Sequence, residues 1–562
     1  MARELGRRGF LSRAGASTLA AASVGADPRR RASGDGGTGS PQAPEPQPLD
    51  EVTGATVAEL LAALGSGALT AVGIARRLLE RIDRLDRRGP RLHAVIELNP
   101  DALDMAARCD AERRAGRPTG PLHGIPILVK DNIDTGDRMQ TSAGSLALTG
   151  GPAPRDAFIV ARLRASGAVV LGKTNLSEWA NLRSTRSTSG WSARGGLTRN
   201  PHVLDRNPSG SSSGTAAGVA AGYAPLGIGT ETDGSIISPA GVCGIVGIKP
   251  TVGLWSRSGI VPISASQDTP GPMARTVGDA ALLLAALAGP ADPEDVATLA
   301  ASAACRAALA RHDGTRAAGP PEAGLVGARL GVPRDLAGFH PAVDAALERA
   351  LEAMKDAGAV IVDHLALGPT ARLEEAEMEV LLHELKDGLS RYLARRGSSA
   401  GGLGSLADVM AFNARERARE MPWFGQELFE RAQTKGDLTA GAYRAARARC
   451  LALARTRGLD ALLASHRLDA LICPSNAPAW LTDLENGDHV TGGNTTFAAV
   501  AGYPSVTVPM GAAHGLPLGL SFVGAAWTEP HLIALAAGFE AITRARVPPR
   551  FLATLVEPAW ED

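Results

Sequence analysis

Residues 122–132 read Leu-His-Gly-Ile-Pro-Ile-Leu-Val-Lys-Asp-Asn, a short apolar run that stops abruptly on a lysine and two polar residues. A run of this length without polar alternation is the pattern of a strand buried on both faces. A second such run follows a helix end at Arg162-Leu163 and reads Ala168-Val169-Val170-Leu171-Gly172-Lys173. Upstream the period changes to that of helices. Val57, Leu60, Leu61 and Leu64 share one face behind a capping Thr56, and Ile74, Leu78 and Leu79 mark the buried side of a helix from about Thr70 to Leu85. Helices alternating with continuous apolar runs predict an α/β fold whose sheet is covered on both faces. From Leu468 the strand-like runs return as Ala470 to Pro474 and Ser505 to Pro509, and a helix closes the chain around Pro530 to Ile542. Residues 290–460, rich in Ala, Arg, Glu and Leu, read as mostly helical and carry no chemical motif.

The composition narrows the classes of partner. Lys plus Arg equals Asp plus Glu at 58 each in 562 residues, so no net field draws the chain to nucleic acid or to an anionic membrane. No apolar run reaches the roughly 18 residues that span a bilayer. The five cysteines (Cys109, Cys243, Cys305, Cys450, Cys473) are scattered and odd in number, neither a disulfide framework nor a zinc pattern. The eleven histidines show no ligand spacing either, so no metal and no cofactor is expected.

The N-terminus reads as an export signal. Arg7-Arg8-Gly9-Phe10-Leu11-Ser12 is a twin-arginine pattern, followed by a mild apolar run from Ala14 to Ala26, with small residues Val24-Gly25-Ala26 before Asp27. Residues 1–26 are therefore expected to be a twin-arginine-type signal peptide and the precursor a client of the twin-arginine export machinery. The mature protein would be periplasmic or secreted. Residues 27–50, with Pro, Gly, Ser and an Arg29-Arg30-Arg31 cluster, are too polar to offset the entropy of ordering and read as a linker. The folded domain is then 51–562.

Between Asn207 and Thr251 the chain becomes dense in Gly, Ser and Ala, yet buried-type runs at Leu226–Ile228 and Val242–Ile248 interrupt it, which a flexible linker does not do. A helix of small residues is expected at Thr215 to Tyr223. A hydrolase working without metal needs a nucleophile, a base for its proton, and donors for the developing oxyanion. Ser235 lies in a glycine-flanked turn, where Gly229 and Gly234 would let backbone N–H groups approach a substrate carbonyl. Lys130 ends an apolar strand, and desolvation there would favour the neutral form that a general base needs. By residue type alone, Lys130 also reads as a surface lysine and Ser211-Ser212-Ser213 as an ordinary turn.

Four segments together resemble the amidase signature family: Gly-Ile-Pro-x-x-x-Lys-Asp-Asn at 124–132, Gly-Ser-Ser-Ser-Gly at 210–214, Gly-Thr-Glu-Thr-Asp-Gly-Ser-Ile at 229–236 and Gly-Ile-Lys-Pro-Thr at 247–251. The resemblance implies a single α/β/α domain around a large twisted mixed sheet. It implies Ser235 as the acyl-forming nucleophile, Ser211 as the bridging serine and Lys130 as the base, with a cis peptide bond at Gly210–Ser211. Backbone N–H groups of Thr232, Asp233, Gly234 and Ser235 would hold the oxyanion. Finer features at 174–181, 190–196 and 262–269 resemble the bacterial peptide amidase branch, which removes the C-terminal amide nitrogen from peptide amides. Trp179 to Gly196, Ser256 to Thr269 and the region between about 370 and 450 are expected to wall the site. The family's common Gly-Gly-Ser-Ile-Arg appears here as Asp233-Gly234-Ser235-Ile236-Ile237.

Alternatives of other kinds are a broad acyl amide hydrolase, an A-subunit-like transfer-RNA amidotransferase, and an inactive binding protein on the same fold. The expected substrate is a small-molecule or peptide amide.

Overall fold

The computed structural model describes residues 50–301, 303–310 and 321–555. The expected signal peptide, 1–26, and the linker as far as residue 49 lie outside the described residues. The first helix, Val57–Ser66, starts where its sequence says it should. Thr56 accepts from the Glu59 N–H and the Glu59 carboxylate accepts from the Thr56 N–H, a reciprocal cap worth about 1 kcal/mol. The second, Ala71–Ile82, buries Ile74 and Leu78 and passes into a wider helical turn, Asp83–Arg87.

Thirteen strands are found among the described residues. The first five are β1 (Val95–Leu98), β2 (Pro126–Lys130), β3 (Val169–Thr174), and a two-residue ribbon of β4 (Trp191–Ser192) with β5 (Gly196–Leu197). Then come β6 (Leu226–Glu231), β7 (Val246–Lys249), β8 (Thr269–Ala274), β9 (Arg329–Pro333) and β10 (Val360–Leu365). The last are β11 (Ala470–Pro474), β12 (Ser505–Ala513) and β13 (Leu516–Val523). Eleven of them make one mixed sheet in the order β1-β3-β2-β6-β8-β7-β12-β13-β11-β9-β10. β2 runs parallel to both β3 and β6, while β8 and β13 are antiparallel to their neighbours. The result is a single mixed α/β domain around a central sheet.

The apolar run at 122–129 contributes its second half and Lys130 to β2, and every residue of that strand is buried. The small-residue helix runs from Ser213 to Ala220, earlier than expected, and is buried along its length. It can lie flat on the sheet because Gly214 and Gly218 admit neighbouring backbone and side chains; a Cβ at Gly214 would sit 2.3 Å from the Ala94 carbonyl oxygen. The 290–460 region is mostly helical, as its composition reads, but not wholly so. It supplies β9 and β10 to one edge of the sheet, and β10 is only partly buried and interrupted by Asp363 and His364, so no continuous apolar run announces it.

Parallel β2 and β6 end on the same side of the sheet, and β7, antiparallel to β8 as β6 is, ends there too. This edge therefore gathers Lys130, Thr230, Glu231 and Lys249 from segments more than a hundred residues apart. Sites of open α/β sheets form outside such carboxyl ends.

Candidate active site

Lys130 is wholly buried, and its Nζ donates to Ser211 Oγ at 2.8 Å, to Thr230 Oγ1 at 2.9 Å and to the Thr230 carbonyl at 3.2 Å. Asn132 Nδ2 donates to the same Thr230 hydroxyl at 2.9 Å and holds it in place. The reading of Lys130 as a surface residue is thereby replaced by that of a lysine in a cage of hydroxyl and carbonyl groups. Burial lowers its pKa to about 7, against the opposing pull of the Asp268 and Glu231 carboxylates. Lys173, at the end of neighbouring β3, is equally buried but has the Asp131 carboxylate at 4.0 Å and donates to the Ile133 carbonyl and the Thr141 hydroxyl. No carboxylate lies within that distance of Lys130 among the described residues.

Ser211 follows the one cis peptide bond found among the described residues, Gly210–Ser211, as the resemblance implied. Its carbonyl accepts from the Ser177 N–H at 3.1 Å, and the next N–H, of Ser212, donates to the Ser235 carbonyl at 3.1 Å. The two serine segments are thus tied together by backbone, and both serines are buried. The Ser212 side chain bridges Thr230, accepting from its N–H and donating to its carbonyl, while Ser213 Oγ donates to the Ser209 carbonyl. Of the three consecutive serines, only Ser211 therefore keeps its hydroxyl for Lys130.

The turn from β6 to the helix Ile237–Val242 carries Thr232, Asp233, Gly234 and Ser235. Gly234 adopts φ +77°, a conformation that side chains disfavour, and a Cβ there would meet Thr495 Oγ1 at 3.0 Å. The N–H groups of Ile236 and Ile237 donate to Glu231 Oε2 at 2.6 and 2.9 Å. The N–H groups of Thr232, Asp233, Gly234 and Ser235 donate to no protein acceptor among the described residues. Gly234 and Ser235 are buried and Thr232 and Asp233 half-buried, and a run of free donors ending on a serine is able to receive a developing negative charge. Gly229 does not share this role. It lies inside β6 opposite Gly271, and its missing Cβ leaves room for Met273 and Ser212.

Side chains that the sequence did not single out hold the turn. Thr232 Oγ1 donates to Asp268 at 2.6 Å, Gln267 Nε2 donates to the Thr232 carbonyl and to Glu377, and Thr496 Oγ1 donates to Asp233 Oδ2 at 2.7 Å. Gln267 and Asp268 lay within a segment expected to wall the site, but nothing in their spacing marked these bonds. A cavity of about 330 Å³ opens beside Thr230 and Thr232, lined by Ala180, by residues from 258 to 265 and by the helix Ala371–Arg396 through Gly388 and Tyr392. Residues of each of the three segments expected to form walls line this cavity, although Lys130, Ser211 and Ser235 do not.

Among the described residues one group outside this site could approach a cation: Cys109, Glu112 and His123 place ligand atoms within 4.8 Å of one another. His123 is already engaged on both nitrogens, Nδ1 with Thr119 and Nε2 with the Cys109 carbonyl. The five cysteines are all buried.

A family model described as Amidase matches residues 74–533. A probable amidase of Arabidopsis thaliana is 40% identical over 509 residues, covering 89% of this chain and 92% of that protein. A glutamyl-tRNA(Gln) amidotransferase subunit from Symbiobacterium thermophilum is 36% identical over 497 residues, covering 85% and 95%. Among solved structures, native peptide amidase from Stenotrophomonas maltophilia superposes with a TM-score of 0.82 at 49% identity, covering 89% of this chain and 99% of that one. With its sheet, its serine-bearing turn and these relatives in agreement, the chain belongs to the amidase signature family.

Proposed function

We propose that this amidase hydrolyses the C-terminal carboxamide of peptides, releasing ammonia, with Ser235 as nucleophile, Ser211 as relay and Lys130 as base. The observation that carries the reading is the set of unpaired N–H groups from Thr232 to Ser235, standing next to a neutralisable lysine that touches Ser211. Neutral Lys130 takes the Ser211 proton as Ser211 takes that of Ser235, and Ser235 Oγ attacks the amide carbon. The oxygen gains its negative charge among the free N–H groups, which need no rearrangement to receive it. The protons return through Ser211 to the departing nitrogen, ammonia leaves, and water repeats the sequence on the ester to release the acid and free Ser235. This is a lysine version of triad logic.

Preference for the terminal amide is supported by the likeness to peptide amidase and comes from exclusion, since an –NH₂ group fits a closed pocket that a continuing chain cannot enter. A hydrolysis panel tests it. A peptide ending in –CONH₂ is expected to lose ammonia while mass analysis shows its internal bonds intact. Cleavage of internal bonds, or action on simple aliphatic or aryl amides alone, would leave an amidase and remove the peptide amidase reading.

The pH dependence follows from the base. Lys130 accepts a proton only when neutral, and its pKa stands at about 7. Turnover should rise with pH through that region and fall on the acid side as the ammonium form takes over. A kcat profile flat from about pH 5 to about pH 9 would contradict Lys130 as base.

A further inference from the structure

The Gly-Ile-Lys-Pro-Thr segment contains a second fully buried lysine, Lys249, which the chemistry above does not use. It is the last residue of β7, two positions after Gly247, so both residues point to the same face of the sheet. That face lies under the catalytic turn. A Cβ on Gly247 would stand 3.0 Å from Ile236 Cγ2 and 3.3 Å from the Ile236 carbonyl oxygen. The Lys249 ammonium donates to the Pro250 carbonyl at 3.2 Å. Among the described residues no carboxylate lies within 4.0 Å of it, but the charges of Glu231 at the end of β6, Glu529 at the start of the helix Glu529–Thr543, and Asp233 in the turn act on it. Glu231 is buried too. Its Oε2 accepts the N–H groups of Ile236 and Ile237, the two immediately after the nucleophile, and its Oε1 has no hydrogen-bond partner among the described residues.

On the Ser-Ser-Lys reading above, we propose that Lys249 is a positioning residue. It is the internal counter-charge that keeps Glu231 ionised, and ionised Glu231 anchors the turn that aims Ser235 and the four free N–H groups. A buried carboxylate without a cation nearby takes up a proton or disrupts its surroundings. A protonated Glu231 has weaker acceptors for the Ile236 and Ile237 N–H groups, and the turn relaxes. Burial pushes Glu231 upward in pKa, and Lys249 is the largest influence pulling it back. Glu231 also faces Lys130 together with Asp268, so its charge is felt at the base.

The test measures ammonia release from acetyl-phenylalanine amide across pH in the wild type, Lys249→Met, Glu231→Gln and the double variant. Lys249→Met should lower kcat on the order of ten- to a hundredfold with a much smaller change in KM, because the loss falls on transition-state geometry. Its acid limb should move to lower pH, as in Glu231→Gln, because Lys130 loses one of the two negative charges that favour its ammonium form. The double variant, in which the Glu231 charge goes together with that of Lys249, should be no slower than either single variant, since both substitutions break the same link. Wild-type kcat and an unmoved acid limb in Lys249→Met would overturn the proposal, and so would single effects that multiply in the double variant. If the wild type itself showed no acid limb, the assignment of Lys130 as base would fall first, and this proposal with it.

Discussion

Replacing Ser235 by alanine should abolish amide hydrolysis, with a fall in turnover on the order of a thousandfold or more, and leave the fold in place. Ser235 Oγ makes no hydrogen bond among the described residues, so its removal strands no partner there. The backbone around it is held independently by Glu231, by the Ser212 N–H on its carbonyl and by Thr496 on Asp233. What disappears is the hydroxyl proposed to form the acyl bond beside the free N–H groups. Ammonia release and thermal unfolding should be followed on the same preparation. Undiminished turnover in a folded Ser235→Ala protein would end the serine mechanism.

Lys130→Met and Lys130→Arg should each lose turnover on the order of a thousandfold, and the comparison between them is decisive. Methionine keeps most of the volume and removes both charge and lone pair. Arginine keeps the charge but cannot give up its proton at any working pH. If Lys130 acted only as a fixed positive charge, arginine would restore much of the rate. Equal loss in both variants, with kcat falling and KM nearly unchanged, is the outcome expected of a base. Methionine would remove one donor each from the Thr230 carbonyl and hydroxyl, which keep Ser212 Oγ and Asn132 Nδ2, so a slightly lowered Tm is expected as well and has to be measured beside the rate.

How far the sequence could be read depended on how each feature is encoded. β2, β3 and β6 were legible because central parallel strands are apolar on both faces and interrupt the polar text around them. β8 was not. It reads Thr-Pro-Gly-Pro-Met-Ala, and prolines argue against a central strand. The contradiction resolves in the pairing, since β7 engages only Met273 and Ala274 and leaves the proline stretch with β6 as its one partner. β10 hid for the opposite reason, being an edge strand with little apolar surface to show. At the site, the motif residues Lys130, Ser211 and Ser235 stood out through resemblance, whereas residue type alone left Lys130 and the serine run open. The supports, Thr230, Asn132, Asp268, Gln267 and Thr496, were illegible because what selects them is proximity across the sheet. Thr496 lies 263 positions from the aspartate it binds.

That last separation bears on when the enzyme becomes an enzyme. All three side chains of the proposed triad have been synthesised once residue 235 has left the ribosome, but the strand β12 that pairs with β7, the threonine that fastens Asp233, and the glutamate that accepts from Thr251 all come from the last part of the chain. A nascent or truncated chain therefore carries the full reactive complement without the frame that aims it. Forming the site must await contacts of very long sequence separation, the slow class in folding. On the proposed mechanism this topology makes hydrolytic competence depend on the last part of the chain, and a copy cut short before β12 is expected to lack it.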